Sequence, residues 1–291
     1  VPNFSEGRRK PVVDSIVDAM TAVPGATVID VQSDLDHNRS VVTIVGTPQA
    51  ILDASFRGIA SAAELIDMNH HRGEHPRMGA TDVVPFIPIR GVTMEDCVGL
   101  AQELGARVGS ELGIPVYLYE SAATCPERRN LAEVRRGEYE GLKAEIGTNP
   151  DRVPDYGPQA LGPAGATAIG ARPPLIAFNV YLNTDDVAPA RAIARAVRHS
   201  SGGLRYVKAL GLLVDGRAQV SMNLTDYRRT PVHRVVEMIR AEAARYGLAI
   251  THGEVVGLLP AQALFDAAGY YLQLRDFSSD QVLDNHLSGD G

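Results

Sequence analysis

"RYVKALGLLVDGRAQVSMNLTD" (residues 205–226) decides the fold. Two apolar-rich runs, 205–214 and 218–226, flank Asp215-Gly216. An Asp-Gly pair supplies the two positive-φ residues that a tight hairpin turn requires, so the stretch reads as a β-hairpin. On its N-terminal side, "LIAFNVYL" (175–182) reads as a strand and "DVAPARAIARAVRH" (186–199) as a helix. On its C-terminal side, "TPVHRVVEMIRAEAARYG" (230–247) is a helix with Pro231 in its first turn, and "ITHGEVVGLL" (250–259) is a strand. The order β-α-β-β-α-β is that of a split βαβ unit.

The first half has the same layout. "VPNF" ends a strand, and "KPVVDSIVDAMTAV" (10–23) places Val12, Val13, Ile16, Val17 and Met20 on one helical face. "ATVIDVQ" (26–32) and "RSVVTIVG" (39–46) are strands around a polar turn, and 47–68 is an amphipathic helix with Thr47 and Pro48 at its start. "VVPFIPI" follows as a strand, then a helix (93–113) and the strand "IPVYLYE" (114–120). Residues 121–166 scatter Pro, Gly and charge, and 154–167 has no regular pattern. The expected fold is α/β (α+β), two split-βαβ, ferredoxin-like subdomains, 1–174 and 175–291. The segment 276–291 reads as a polar loose end.

With 291 residues, 45% hydrophobic and 22% charged, the chain has material for a sizeable core. A formal net charge of −7 without a basic run argues against nucleic acid or an anionic membrane as partner. Cys97 and Cys125 form no C-x-x-C pair and read as free thiols of a reducing cytoplasm. No apolar run approaches the roughly 18 residues a bilayer span needs.

The chemistry concentrates in "HHRGEHPRMGATDV" (70–83). From His71 the spacing is H-x-x-E-H, which some zinc peptidases present on a helix. Pro76 turns His75 away from helical φ/ψ and Gly73 weakens a helix further, so no metal site is expected here. His70 and His71 read as residues of a solvated loop. His75 reads as catalytic, because Gly and Pro fix the backbone around Glu74, His75, Arg77 and Met78, and imidazole moves protons near pH 7. "VPNFSEGRR" (1–9) sets Asn3, Ser5 and Glu6 at a strand end, either as helix-entry turn groups or as ligand contacts. "DHNR" (36–39) reads as turn chemistry. "GPAGATAIGAR" (162–172) is glycine-rich enough to approach a planar or anionic ligand, but no phosphate-binding or G-x-S-x-G signature is present.

Colinear blocks carry a resemblance: "VPNFSEGR", "DHNRSVVTIVG", "LIDMNHHRGEHPRMGATDVVPFIPIRGVTMEDCV", "RRGEYEGL", "PDYGP", "GATAIGARPPLIAFNVYLNT" and "VSMNLTDY". From Val1 to about Ala268 the chain resembles the glutamate formiminotransferases, the transferase portion of formiminotransferase–cyclodeaminase. The resemblance implies two α/β subdomains whose sheets face each other with helices outside, usually in a dimer. It implies transfer of a formimino group from N-formimino-L-glutamate to N5 of tetrahydrofolate, the co-substrate, in histidine breakdown. The family's catalytic histidine falls on His75. Its folate-contacting stretch falls on Gly157, Pro158, Gly162, Gly165, Ala166 and Thr167. Substrate contacts are expected from Arg77, Glu74, Arg39, Asn38, Asn3 and Ser5, with Arg172 adding to a positive tunnel. Gln32 stands where the family carries a carboxylate, which Asp34 or Asp36 would have to replace. Formyl transfer at the same site, a metal-dependent formimino or formamide hydrolase, and a folate-binding protein without turnover are the alternatives.

Overall fold

The structure is a computed structural model that describes residues 1–287. The chain divides into two compact units, Val1–Arg172 and Pro173–Gly291.

The first unit runs β1 (Asn3–Phe4), α1 (Lys10–Thr21), β2 (Ala26–Asp34), β3 (Arg39–Gly46), α2 (Pro48–Leu65) and β4 (Thr81–Phe86). It continues through α3 (Met94–Arg107), β5 (Val116–Glu120), the short α4 (Leu131–Val134), α5 (Glu138–Glu145) and β6 (Thr167–Ala171). Its six-stranded sheet has the order β2-β3-β1-β4-β6-β5. Along β2-β3-β1-β4 every neighbour is antiparallel, the expected split βαβ arrangement. β4, β6 and β5 are parallel, so the sheet is mixed. Residues 167–171, read in sequence as part of a ligand-approaching glycine stretch, instead form the buried strand between β4 and β5. "TAIGA" has small side chains because both faces are covered, and so it lacks the alternation that marks a strand.

Helix α1 starts where it does because the Glu6 carboxylate accepts the N–H groups of Arg8 and Arg9, each at 2.8 Å. Its Val13, Ile16 and Met20 then recur at helical spacing and join Phe4, Val42 and Ile44 in the core. α2 and α3 cover β4, β6 and β5 through Leu52, Ile59, Ala101 and Leu104 against Val84, Leu118 and Ile169. The alternate residues Val83, Tyr117, Tyr119 and Ala168 pack instead on Val134, Leu142 and Ile146. Helices α4 and α5 therefore form a layer on the second face that the scattered sequence of 121–166 did not reveal.

The second unit runs β7 (Ile176–Leu182), α6 (Val187–Val197), β8 (Val207–Val214), β9 (Arg217–Leu224), α7 (Val232–Ala244), β10 (Ile250–Val256), α8 (Ala261–Tyr271) and α9 (Asp284–Leu287). Its four strands lie in the order β10-β7-β9-β8, all neighbours antiparallel, a second split βαβ sheet. Val214 pairs with Arg217 across Asp215 (φ 48°) and Gly216 (φ 72°), the two-residue turn that the Asp-Gly pair predicts. Val180, Leu182, Val220 and Leu224 face Ile193, Val197, Val235 and Ile239 of the two helices. On β7 and β10, Tyr181 stacks on His252 (4.4 Å), and Glu254 accepts from Asn179 (2.9 Å) and Tyr181 (3.2 Å). The polar tail carries a short turn at Ser279–Gln281 and then α9, and its last residues, 288–291, lie outside the described part. Among the described residues no helix is long and apolar enough to cross a membrane. Cys97 and Cys125 are unbridged, the first buried.

Candidate active site

Five segments of the first unit meet at one end of its sheet: the exit from β1, the β2–β3 turn, residues 66–80 before β4, residues 135–140, and residues 162–167 before β6. Backbone bonds tie them together. Ser5 donates to Ala80 (2.8 Å), Ala80 to Ala164 (2.8 Å), Ala166 to Met78 (3.0 Å), and Tyr139 to Arg77 (2.9 Å). Gly79 and Gly165 cross so closely that a Cβ on Gly79 would stand 2.1 Å from the Ala166 carbonyl oxygen. Gly165 has φ +71°, the left-handed region that favours glycine.

Residues 71–80 form no helix, so the geometry that gives H-x-x-E-H its meaning on a helix is not present. Among the described residues no group of three His, Cys, Asp or Glu side chains is placed to hold a metal ion. His71 and His75 part company. His71 is buried rather than solvated, which corrects the loop reading. Its Nε2–H donates to the Asn38 carbonyl (3.1 Å) and its Nδ1 accepts from Arg77 Nε (3.3 Å). Burial and Arg77 press its pKa down, and with both nitrogens engaged it serves as a fixed neutral spacer. His70 is exposed.

His75 is half-buried. Its Nδ1–H donates to the Pro76 carbonyl at 2.6 Å, which fixes the tautomer and leaves the Nε2 lone pair free. Burial first, then Arg39 and Arg135, hold its pKa down to about 4, against a smaller upward pull from Asp82. At neutral pH the imidazole is therefore an uncharged base. Glu74, expected to contact substrate, is exposed; its N–H bonds the Asp36 carbonyl (3.3 Å) and so fastens the segment to the β2–β3 turn. His37, in that turn, is fixed by Asp34 (2.8 Å) and presents its ring edge-on to His75, centroids 6.0 Å apart. That turn is more than a chain reversal.

Behind His75 lies a buried cluster of charge. Arg39 Nη1 donates to Asp82 Oδ2 (2.7 Å), Arg135 donates to the same oxygen, and Met78 N–H bonds Oδ1 (3.0 Å). Burial alone would push the fully buried Asp82 carboxyl up, but the two guanidiniums hold it below the ordinary range. Arg39 also donates to Asn3 Oδ1 (2.9 Å). Tyr119, raised to about 12 by burial, is hydrogen-bonded by Arg172 and lies within the field of Arg135. Tyr119 thus connects Arg172, far along the sequence, with the Arg39–Arg135 pair. Arg135 and Asp82 were not singled out in the sequence, although "RRGEYEGL" and "GATDV" contain them.

Arg77 points elsewhere. It donates to Glu138 (2.7 Å) and to both oxygens of Glu140 (2.8 and 2.7 Å), besides His71. Its guanidinium is filled by protein partners, so here it positions the loop instead of presenting a free fork to a substrate. Asn38 likewise spends its amide on Gly7 N–H (3.0 Å) and the Arg72 carbonyl (2.9 Å), and Ser5 Oγ donates to Gly79 (2.7 Å). Of the glycine-segment residues, Gly162, Gly165 and Ala166 adjoin the histidine segment. Thr167 begins β6 and is buried, while Gly157 lies beside Ile114 and Pro115, just before β5. Gln32 bonds Asp30 (3.0 Å), and the Asp34 carboxylate is held by His37, leaving Asp30 as the acid beside Gln32.

Residues 1–172 match the model of the formiminotransferase domain, N-terminal subdomain, and residues 177–285 match that of the formiminotransferase domain. The chain belongs to the formiminotransferase family. It is 49% identical over 99% of its length to the glutamate formimidoyltransferase of Streptococcus pyogenes serotype M1, covering 98% of that protein. It is 50% identical to the glutamate formimidoyltransferase of Thermoplasma acidophilum, covering 96% of it. The formimidoyltransferase-cyclodeaminase of Dictyostelium discoideum is 42% identical, and the chain spans 55% of that longer protein.

Proposed function

We propose that this chain is a glutamate formimidoyltransferase, moving the formimino group of N-formimino-L-glutamate to N5 of tetrahydrofolate and releasing glutamate. One observation carries the reading beyond family membership: an uncharged imidazole, Nδ1–H tied back and Nε2 free, stands beside buried arginines. The donor carbon of formiminoglutamate is amidine-like and already electrophilic, so attack by N5 gives a tetrahedral intermediate. N5 must then lose a proton and the departing glutamate nitrogen must gain one. His75 Nε2 takes the first and returns it to the second, a role typically worth about 10²–10⁴-fold in rate.

The charge around His75 suits both halves of that shuttle. Before reaction burial, and then the arginines, keep the imidazole unprotonated. Bound carboxylates of glutamate and folate offset the arginines and raise its proton affinity, and the imidazolium formed there is a ready acid. Arg39 and Arg172 supply the positive wall, Arg77 and Asn38 hold the loops, and the segment from Gly157 to Thr167 contacts the folate. A cytoplasmic homodimer without a metal requirement completes the proposal.

The test is direct. The protein is incubated with tetrahydrofolate and formiminoglutamate, with and without EDTA, and acidified to develop the near-ultraviolet absorbance of methenyl-folate. Formylglutamate serves as the competing donor. Equal signal with and without chelator is expected from formiminoglutamate; a signal only from formylglutamate, or one abolished by EDTA, overturns the proposal.

A further inference from the structure

The proposed shuttle leaves the arrangement of Arg135 and Asp82 without a task. Asp82 is fully buried, and both Arg39 and Arg135 donate to its Oδ2. One carboxylate balances one guanidinium, so a net positive charge is left over in a place largely shielded from water. A purely structural pair needs one arginine. Arg39 supplies it, with a second bond to Asn3. Arg135, by contrast, has its Nε buried without any partner, a cost a scaffold residue has no reason to bear.

We infer that Arg135 is a positioning residue of the active site: the arginine pair on Asp82 maintains an excess positive charge beside His75 and keeps its imidazole in the free-base form until anionic substrates arrive. The groups acting on His75 come from several elements. They are Arg39 from β3, Asp82 from β4, Arg135 from the end of α4, the His37 ring of the β2–β3 turn, and the Pro76 carbonyl of its own segment. The inference deepens the acid–base role proposed above and rests on it for its meaning, but the charge balance itself is measured without turnover.

Two substitutions push the balance in opposite directions. Arg135→Gln removes the surplus charge and leaves the Arg39–Asp82 pair matched; Asp82→Asn removes their shared carboxylate and leaves both arginines. In the full chain labelled with ¹³C-histidine, the His75 resonance is assigned by its loss in His75→Asn and titrated by NMR without substrates. Arg135→Gln is expected to raise the His75 midpoint by about one pH unit, Asp82→Asn to lower it, and Arg135→Lys to return it close to wild type. The acid limb of kcat/KM for transfer should move with it. If Asp82→Asn does not fold, Arg135→Gln and Arg135→Lys alone decide. A His75 midpoint unmoved in Arg135→Gln, or moved equally by Arg135→Lys, overturns the inference. Midpoints that move as stated in a protein that transfers nothing would uphold the charge device and sink the proposed reaction instead.

Discussion

His75 and His71 stand four residues apart and are held for opposite ends. His71 has both nitrogens occupied; His75 has one, so only it can exchange a proton with a ligand. Replacing His75 by Asn should therefore cut transfer about 10²–10⁴-fold while leaving tetrahydrofolate affinity within a few-fold, read by the absorbance assay and by fluorescence titration. Its depressed pKa also marks stability. The folded value lies below the unfolded one near 6.5, so the neutral ring favours the fold above pH about 6.5 and that contribution is lost as pH falls through about 4. Urea unfolding across that window should be less pH-dependent in His75→Asn than in the wild type. Arg77→Ala strands buried His71 and frees two partly exposed glutamates, which hydrate. A loss of about 1–3 kcal/mol in urea denaturation, with KM for formiminoglutamate changed less than stability, would fit its role as a loop anchor. Sequence reading singled out His75 because Pro76 and Gly73 announce a fixed, non-helical backbone, and that backbone is non-helical here. It misjudged His71 and passed over Asp82 because a letter carries no burial: whether an arginine such as Arg77 faces water or two glutamates is decided by α5, dozens of residues away.

Elements built on local rules were legible. Asp215-Gly216 places a turn, and the helical spacing of Val13, Ile16 and Met20 places α1 within two residues at each end. Gly216→Val should destabilise the second unit by about 1–2 kcal/mol, seen in thermal unfolding, because a branched side chain at φ 72° meets its own carbonyl. β6 was not legible. Its identity as a strand depends on being sandwiched between β4 and β5, and "TAIGA" has nothing local to say so. α4 and α5 share that difficulty, being too short to show a period. The crossing of Gly79 with Gly165 is a property of two loops together. Gly165→Ala, strained at φ +71° and with its methyl 2.4 Å from the Met78 carbonyl oxygen, should lower kcat/KM for transfer well beyond any loss of folded protein, as judged by circular dichroism.

At the scale of the molecule, each unit closes its own core. The apolar cluster of the second unit is drawn wholly from residues 176–263, so residues 173–287 expressed alone should unfold cooperatively on heating; a non-cooperative melt would show that this core does not suffice. The first unit closes its core by a less direct route. In chain order β4 and β5 come before β6, yet β6 lies between them. A ribosome emitting this chain has released His75 some ninety residues before Gly165, the glycine that crosses beside its loop, has been made. The last strand must then enter a slot with a neighbour already on either side, pairing over long sequence separations that slow folding. The histidine segment is thus assembled late and all at once: a nascent or truncated chain carries the His75 imidazole without the backbone that fixes its loop, and the site waits for the strand that was hardest to read.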